Sequence, residues 1–157
     1  MIKVAIVQFS NTGASTFINT FVHNDGQIIY YSIWENYVMT CGDYIFVYTW
    51  YDYIRSGIYE KFDIMIVMYD ITRRDSYNML NIEQLEPYID DSTRLILVGT
   101  KKDLEDDREV LYEEGENYAN ENNMYFREIN CHDINDVKQV IDIYHNPPNI
   151  LVKSAIN

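Results

Sequence analysis

Cysteine is scarce in this chain: 157 residues carry two, Cys41 and Cys131, far apart in sequence. That excludes a disulfide framework and reads as two free thiols in a reducing compartment, so a cytoplasmic location is expected. With 6 glycines and 3 prolines there is no low-complexity tract, repeat or linker. No apolar run is long enough to span a bilayer. Basic residues are outnumbered, 12 Lys and Arg against 25 Asp and Glu, giving a net charge of −13. Such a balance excludes a nucleic-acid backbone as partner and disfavours an anionic membrane surface. Met1 leads straight into a strand pattern, so no signal peptide is expected. Ile2 excludes myristoylation and Val152–Asn157 has no prenylation box, so no membrane anchor is expected either. His23, His132 and His145 do not stand at metal-ligand spacing with the cysteines.

What the chain does have is apolar and aromatic content, 47% and 15%, the latter mostly its 15 tyrosines. This predicts one globular domain over residues 1–157, with 146–157 as an extended tail after Pro147 and Pro148. Ile2–Val7, Ile64–Tyr69 and Leu95–Val98 are short apolar runs that read as buried parallel strands. Ser32–Met39 and Tyr44–Trp50 read as a hairpin turning at Cys41-Gly42-Asp43, and Met124–Ile129 as a further strand. Helices are predicted after Ser15, over Tyr77–Leu85 up to Pro87, over Glu109–Asn122, and after an Asp133 cap with Val137, Val140, Ile141 and Tyr144 on one stripe. The order implies an α/β domain, a three-layer arrangement around a six-stranded, mostly parallel sheet with one antiparallel edge strand. Ligands on such sheets bind at the carboxyl ends of the strands, so the loops after Val7, Tyr69, Val98 and Ile129 converge.

The first of those loops, Gln8-Phe9-Ser10-Asn11-Thr12-Gly13, lies between a strand and a helix start. That geometry holds phosphate: loop amides face the anion and the helix dipole favours it. Laid on the pattern G-x-x-x-x-G-K-[ST], the chain has Gln8 for the first glycine, Gly13 for the second, Ala14 for the lysine and Ser15 for the last position.

Ile64-Met65-Ile66-Val67-Met68-Tyr69-Asp70-Ile71-Thr72-Arg73-Arg74-Asp75-Ser76-Tyr77, Leu97-Val98-Gly99-Thr100-Lys101-Lys102-Asp103-Leu104, Glu113–Ala119 and Glu128-Ile129-Asn130-Cys131-His132 stand in order and at the right spacing. Together with the phosphate loop they resemble the Ras superfamily of small GTPases, Rab and Rho members above all, over nearly the whole length. The resemblance implies a P-loop G domain that binds GDP or GTP with magnesium. It places Asn11, Thr12, Gly13, Ala14, Ser15 and Thr16 around the phosphates. Thr100, Lys101, Asp103, Leu104, Cys131 and His132 would surround the guanine, with Asp103 accepting two hydrogen bonds from the base and the Lys101 stem covering it. Ser15 and Ser32 stand where the family has its magnesium ligands.

The chain departs from the family where the chemistry is. The phosphate-loop lysine is Ala14, and the W-D-T-A-G-Q stretch is Trp50-Tyr51-Asp52-Tyr53-Ile54-Arg55. The resemblance therefore implies a degenerate G domain, a pseudo-GTPase acting through protein contact. The alternatives are a guanine-nucleotide switch with slow or assisted hydrolysis, and a flavodoxin-like FMN protein, whose [ST]-x-T-G-x-[ST] loop Ser10–Ser15 also fits. By the family alignment Ile45, Val47 and Thr49 face the core. Strand alternation then sends Tyr44, Phe46, Tyr48 and Trp50 outward, with Trp34 and Tyr37 on the neighbouring strand. That aromatic row is the expected interface for a protein partner or a second copy of the chain.

Overall fold

The computed structural model describes residues 1–8, 11–25, 29–33, 36–50 and 61–148, with residues 24, 25, 29–33, 36, 37 and 48–50 described by their backbone alone. Strand β1 (Ile2–Gln8) lies in the middle of the sheet, where its apolar run is covered on both faces. Helix α1 (Ala14–Asp25) follows. Then come β2 (Ile29–Ile33), β3 (Asn36–Cys41), β4 (Tyr44–Trp50) and β5 (Ile64–Asp70). After them stand the short α2 (Arg74–Asn78), β6 (Arg94–Thr100), α3 (Tyr112–Glu121), β7 (Tyr125–Glu128) and α4 (Ile134–Asp142). The strand order is β2-β3-β4-β1-β5-β6-β7. Every strand runs parallel to its neighbours except β3, which pairs antiparallel with β2 and β4. This is the mostly parallel α/β sheet with one antiparallel strand that the sequence implies. The sheet gains a seventh strand because residues 29–33 pair outside β3, so the antiparallel strand stands one place in from the edge. A flavodoxin-like sheet, ordered 2-1-3-4-5, has no place for β3.

Two apolar layers enclose the sheet. Val4, Ile6, Phe46, Ile64, Ile66 and Met68 pack under α1 and α4, with Phe17, Phe21, Val137 and Val140 opposite. Ala5, Val7, Val47, Met65, Val67 and Tyr69 pack on the other face with Leu85, Ala119 and Met124. Alternating positions of one strand thus feed both layers, as the two-residue period requires.

This corrects the expected interface. Val4 is the register partner of Phe46, and both lie on the α1 face. Phe46 is 0% exposed and meets Phe21 edge-on at 5.2 Å. Tyr44 is half-buried, stacks at 6.0 Å on Phe46, and its hydroxyl lies 2.9 Å from His145 Nε2. The alternation along the described part of β4 is as expected, but Phe46 and Val47 are both buried, one in each layer. Trp34, the Tyr51–Glu60 segment and residues 149–157 lie outside the described residues, as do the side chains of Ser32, Tyr37, Tyr48 and Trp50.

Two helices also differ from expectation. Residues 77–85 do not form one helix: α2 ends at Asn78, and a 3₁₀ turn over Ile82–Tyr88 carries Pro87. Proline's missing amide is tolerated in so short a turn. Helix α3 begins at Tyr112 rather than Glu109 because the Glu109 and Val110 amides donate to the Ile71 carbonyl instead. Asp133 caps α4 as expected, accepting from the Asn135 amide at 2.8 Å. No helix among the described residues is long and apolar enough to cross a membrane.

The exposed carboxylates give the fold an acid-sensitive fringe. Arg74 holds Glu114 down from 4.5 to about 2, assisted by the Leu111 amide. Ser92 and Lys61 do the same for Asp90, down from 3.8 to about 2. A depressed carboxylate contributes its stability above its ordinary value and loses it as pH falls through the folded one. Melting temperature should therefore drop between about pH 4.5 and 2. Arg74→Met should narrow that drop, since Glu114 then keeps only the Leu111 amide to hold it down; melts at pH 6, 4 and 2 check this, and parallel curves for the two proteins would contradict it.

Candidate functional site

Five polar residues are buried as a whole among the described residues, and all lie at one end of the sheet: Gln8, Thr12, Asp70, Ser76 and Thr100. They sit at or just beyond the carboxyl ends of β1, β5 and β6, where parallel-sheet proteins place ligands. Buried polar groups need partners, and the ones they find define the site.

At the end of β1, Gln8 is 2% exposed and Thr12 fully buried. The Thr12 hydroxyl donates to Gln8 Oε1 at 3.0 Å, tying the start of the loop to its end. Asn11 and Gly13 adopt positive φ, 53° and 92°. A side chain on Gly13 would be strained by that backbone and would meet Cys131 Sγ at 3.3 Å. The helix is opened by the Phe17 amide, which donates to the Gly13 carbonyl at 2.9 Å. Ala14, where the phosphate-loop pattern has lysine, is 1% exposed and belongs to the α1 core layer. Ser15 is exposed and Thr16 half-buried on the first turn.

At the end of β5, Asp70 Oδ1 accepts from the Thr72 amide at 2.9 Å and the Thr72 hydroxyl at 2.7 Å. Its other oxygen, Oδ2, lies 2.5 Å from Lys101 Nζ. Lys101 reaches it from a positive φ of 64°, so the lysine stem is fixed across the strand ends. The Ser76 hydroxyl donates to the Arg73 carbonyl at 2.8 Å and accepts from the Asp70 amide at 2.9 Å, which closes the loop into α2.

At the end of β6, the Thr100 hydroxyl donates to the Tyr69 carbonyl at 3.1 Å and is buried in the sheet. Asp103 and Leu104 are exposed, and no ion pair to Asp103 forms among the described residues. Beyond β7, Asn130 Oδ1 accepts from the His132 amide at 2.9 Å, and the Asn130 amide donates to Asp136 Oδ2 at 2.8 Å. Lys102 pairs with the same Asp136 oxygen at 2.9 Å. Burial alone would raise the Asp136 carboxyl; the Asn130 amide and Lys102 outweigh it and hold it below its usual range. Cys131 is buried, and burial, reinforced by the Asp103 and Asp136 charges, pushes its thiol up to about 12. The thiol stays protonated and inert. His132 is exposed.

The topology therefore brings the described candidates of all the expected loops to one end. The base side fits a guanine in one respect: Asp103 is an exposed, uncompensated carboxylate at the expected position. The phosphate side does not fit a nucleoside triphosphate. It offers no cation from the loop, and the Gln8 and Thr12 side chains are enclosed where the pattern has a bare glycine and an open loop. For magnesium only Ser15 presents a described hydroxyl, and one hydroxyl does not make an octahedral oxygen site.

Sequence reasoning missed Asp70, Gln8 as a partner of Thr12, and Asp136. Asp70-x-Thr72 was legible as a carboxylate two residues ahead of a hydroxyl, the spacing of a local turn bond. Gln8 was visible as the residue replacing a glycine. Asp136 carried no local signal, because its partners come from loops remote in sequence.

A family model described as the Ras family matches residues 8–146. The chain is 30% identical over 120 residues to the Ras-related protein RABD2a of Arabidopsis thaliana, covering 75% of this chain and 55% of that protein. It is 32% identical over 80 residues to the Ras-like protein rasU of Dictyostelium discoideum, covering 50% and 38%. It is 34% identical over 100 residues to the Ras-related protein RABA5e of Arabidopsis thaliana, covering 59% and 46%. The match with each spans between about two fifths and a little over half of that relative's length.

Proposed function

Because this chain belongs to the Ras family, we propose that it is a G domain that has kept the fold and given up the phosphate chemistry. It is a pseudo-GTPase that works as a protein–protein interaction module, with little or no GTP hydrolysis. The observation that carries this reading is Ala14, buried in the α1 core layer where a phosphate-binding lysine would stand. Phosphoryl transfer is stabilised almost wholly by positioned positive charge. Losing one such donor typically costs ~2.7–4 kcal/mol, a factor of 100 to 1000. Here the lysine, the metal-linked Asp and the water-orienting Gln are all missing from the sequence. The losses do not add simply, but the intrinsic rate in this family is already slow, on the order of 10⁻⁴ s⁻¹.

Protein contact remains as the use for the fold. Strand β2 forms the outer edge of the described sheet, pairing with β3 alone. An edge strand offers backbone donors and acceptors to a partner's strand or to a second copy of this one. The Tyr37, Tyr48 and Trp50 positions lie on β3 and β4, the next two strands inward.

A second reading, a guanine-nucleotide switch with slow or assisted hydrolysis, draws on exposed Asp103 and on Lys101 beside it. The two readings part in a thermal-shift titration with GDP, GTP and ATP, with and without magnesium. Saturating a site at a hundred times its dissociation constant adds about 2.7 kcal/mol, or roughly 5–10 °C for a domain of this size. The proposal predicts a shift of less than about one degree on that scale. A guanine-specific shift of several degrees, lost in Asp103→Ala, would establish the switch reading instead.

A further inference from the structure

We infer that Gln8 and Thr12, bonded to one another between the end of β1 and the start of α1, form a plug that, as much as the missing lysine, bars nucleoside phosphates. The inference rests on the pseudo-GTPase reading and names its device. Gln8 is the last residue of β1 and shares a face with Val4 and Ile6, which pack under α1. Its side chain therefore lies on the α1 side of the sheet, not out in solvent, and it is 2% exposed. Thr12 is fully buried and donates to Gln8 Oε1 at 3.0 Å. A loop that binds phosphate leaves its interior empty and lets the anion take up its donors. This one places an amide side chain in the position where the binding pattern requires hydrogen. An entering phosphate would have to expel a buried, hydrogen-bonded glutamine and leave its polar atoms to find new partners, a cost that water cannot offset inside the core. The loop is braced from below as well. The space beside Gly13 is taken up by neighbours, since a Cβ there would meet Cys131 Sγ at 3.3 Å and Thr100 Cβ at 3.9 Å. On the base side Lys101 is drawn to Asp70, a fully buried carboxylate, and holds the loops after β5 and β6 together without a ligand. The end of the sheet is thus satisfied by its own side chains.

The test compares binding of fluorescent GDP, followed by polarisation, to the wild-type chain, Ala14→Lys, Gln8→Gly, and the double variant Gln8→Gly with Ala14→Lys. The plug predicts that Ala14→Lys alone binds little better than wild type, while the double variant binds at least tenfold more tightly than Ala14→Lys. Equal affinity of Ala14→Lys and the double variant would overturn the inference, as would a folded double variant that does not bind. Thr12→Val guards against a variant that fails to fold. It keeps the volume and deletes the hydroxyl, so it should lower the melting temperature by several degrees; an unchanged melt would show that the bond closes nothing. The outcomes separate the two ideas. Tight binding by wild type would sink the pseudo-GTPase reading itself. Weak wild-type binding with no gain in the double variant would sink only the plug.

Discussion

Gly115→Ala is expected to destabilise the domain by about 2–3 kcal/mol, lowering the melting temperature by roughly 5–10 °C. On helix propensity alone the change should help, by about 1 kcal/mol, because glycine is the poorest interior residue of a helix after proline. Packing opposes it. A methyl on Gly115 would lie 2.2 Å from Tyr69 Oη and 2.6 and 2.8 Å from two ring carbons of Phe126. Tyr69 is fully buried and cannot turn aside, and Phe126 packs half-buried against the same layer. The Tyr69 hydroxyl has no hydrogen-bond partner among the described residues. Tyr69→Phe should therefore be neutral or slightly stabilising by itself, and should recover part of the Gly115→Ala loss by removing its closest clash. Calorimetric melts of the two single variants and the double check this. A stabilised Gly115→Ala would show that helix and sheet are farther apart than described.

Arg108→Met is expected to cost about 3 kcal/mol. The guanidinium forks onto Glu128, with Nη1 to Oε1 at 2.8 Å and Nη2 to Oε2 at 2.6 Å. It also bonds Glu105 and, from Nη1, the Val110 carbonyl. Glu128 is 5% exposed and Arg108 13%, so solvent screens this pair little. Removing the cation leaves a buried carboxylate without a countercharge, and that orphan costs more than the pair ever contributed. The double change Arg108→Met with Glu128→Met should consequently be far milder than Arg108→Met alone. Urea unfolding of the three variants reads this directly. A double variant as unstable as the sum of its parts would mean that Arg108 and Glu128 are not coupled, which would contradict this account.

The fold was legible because its strands are continuous apolar runs. Ile64–Asp70, buried at every position, is what a central parallel strand looks like in sequence. Asp133 and Gly42, with its φ of 56°, likewise announce a cap and a hairpin turn by chemistry alone. The cover over both faces of β4 was not legible in that way. Tyr44-Ile45-Phe46-Val47 is apolar at every position, so alternation has no polar side to mark the surface. That Phe46 is covered follows from long-range packing: it stands opposite Val4 and under α1. Within the candidate site, sequence identified the loops and the vacant lysine position. It did not disclose that Gln8 and Thr12 bond to one another, or that Lys101 turns to Asp70. The Lys101–Asp70 pair depends on where the chain returns after many residues, whereas the Gln8–Thr12 bond spans four residues inside a loop whose pattern names only its glycine and lysine positions.

The central claim is that this G domain stands without a nucleotide. Its most direct measurement is the nucleotide content of the protein purified in magnesium-containing buffer, released by denaturation and separated by ion-exchange chromatography. The account predicts well under one guanine nucleotide per ten chains, on the order of trace carry-over for a site with no dissociation constant below the micromolar range. About one GDP or GTP per chain would contradict it.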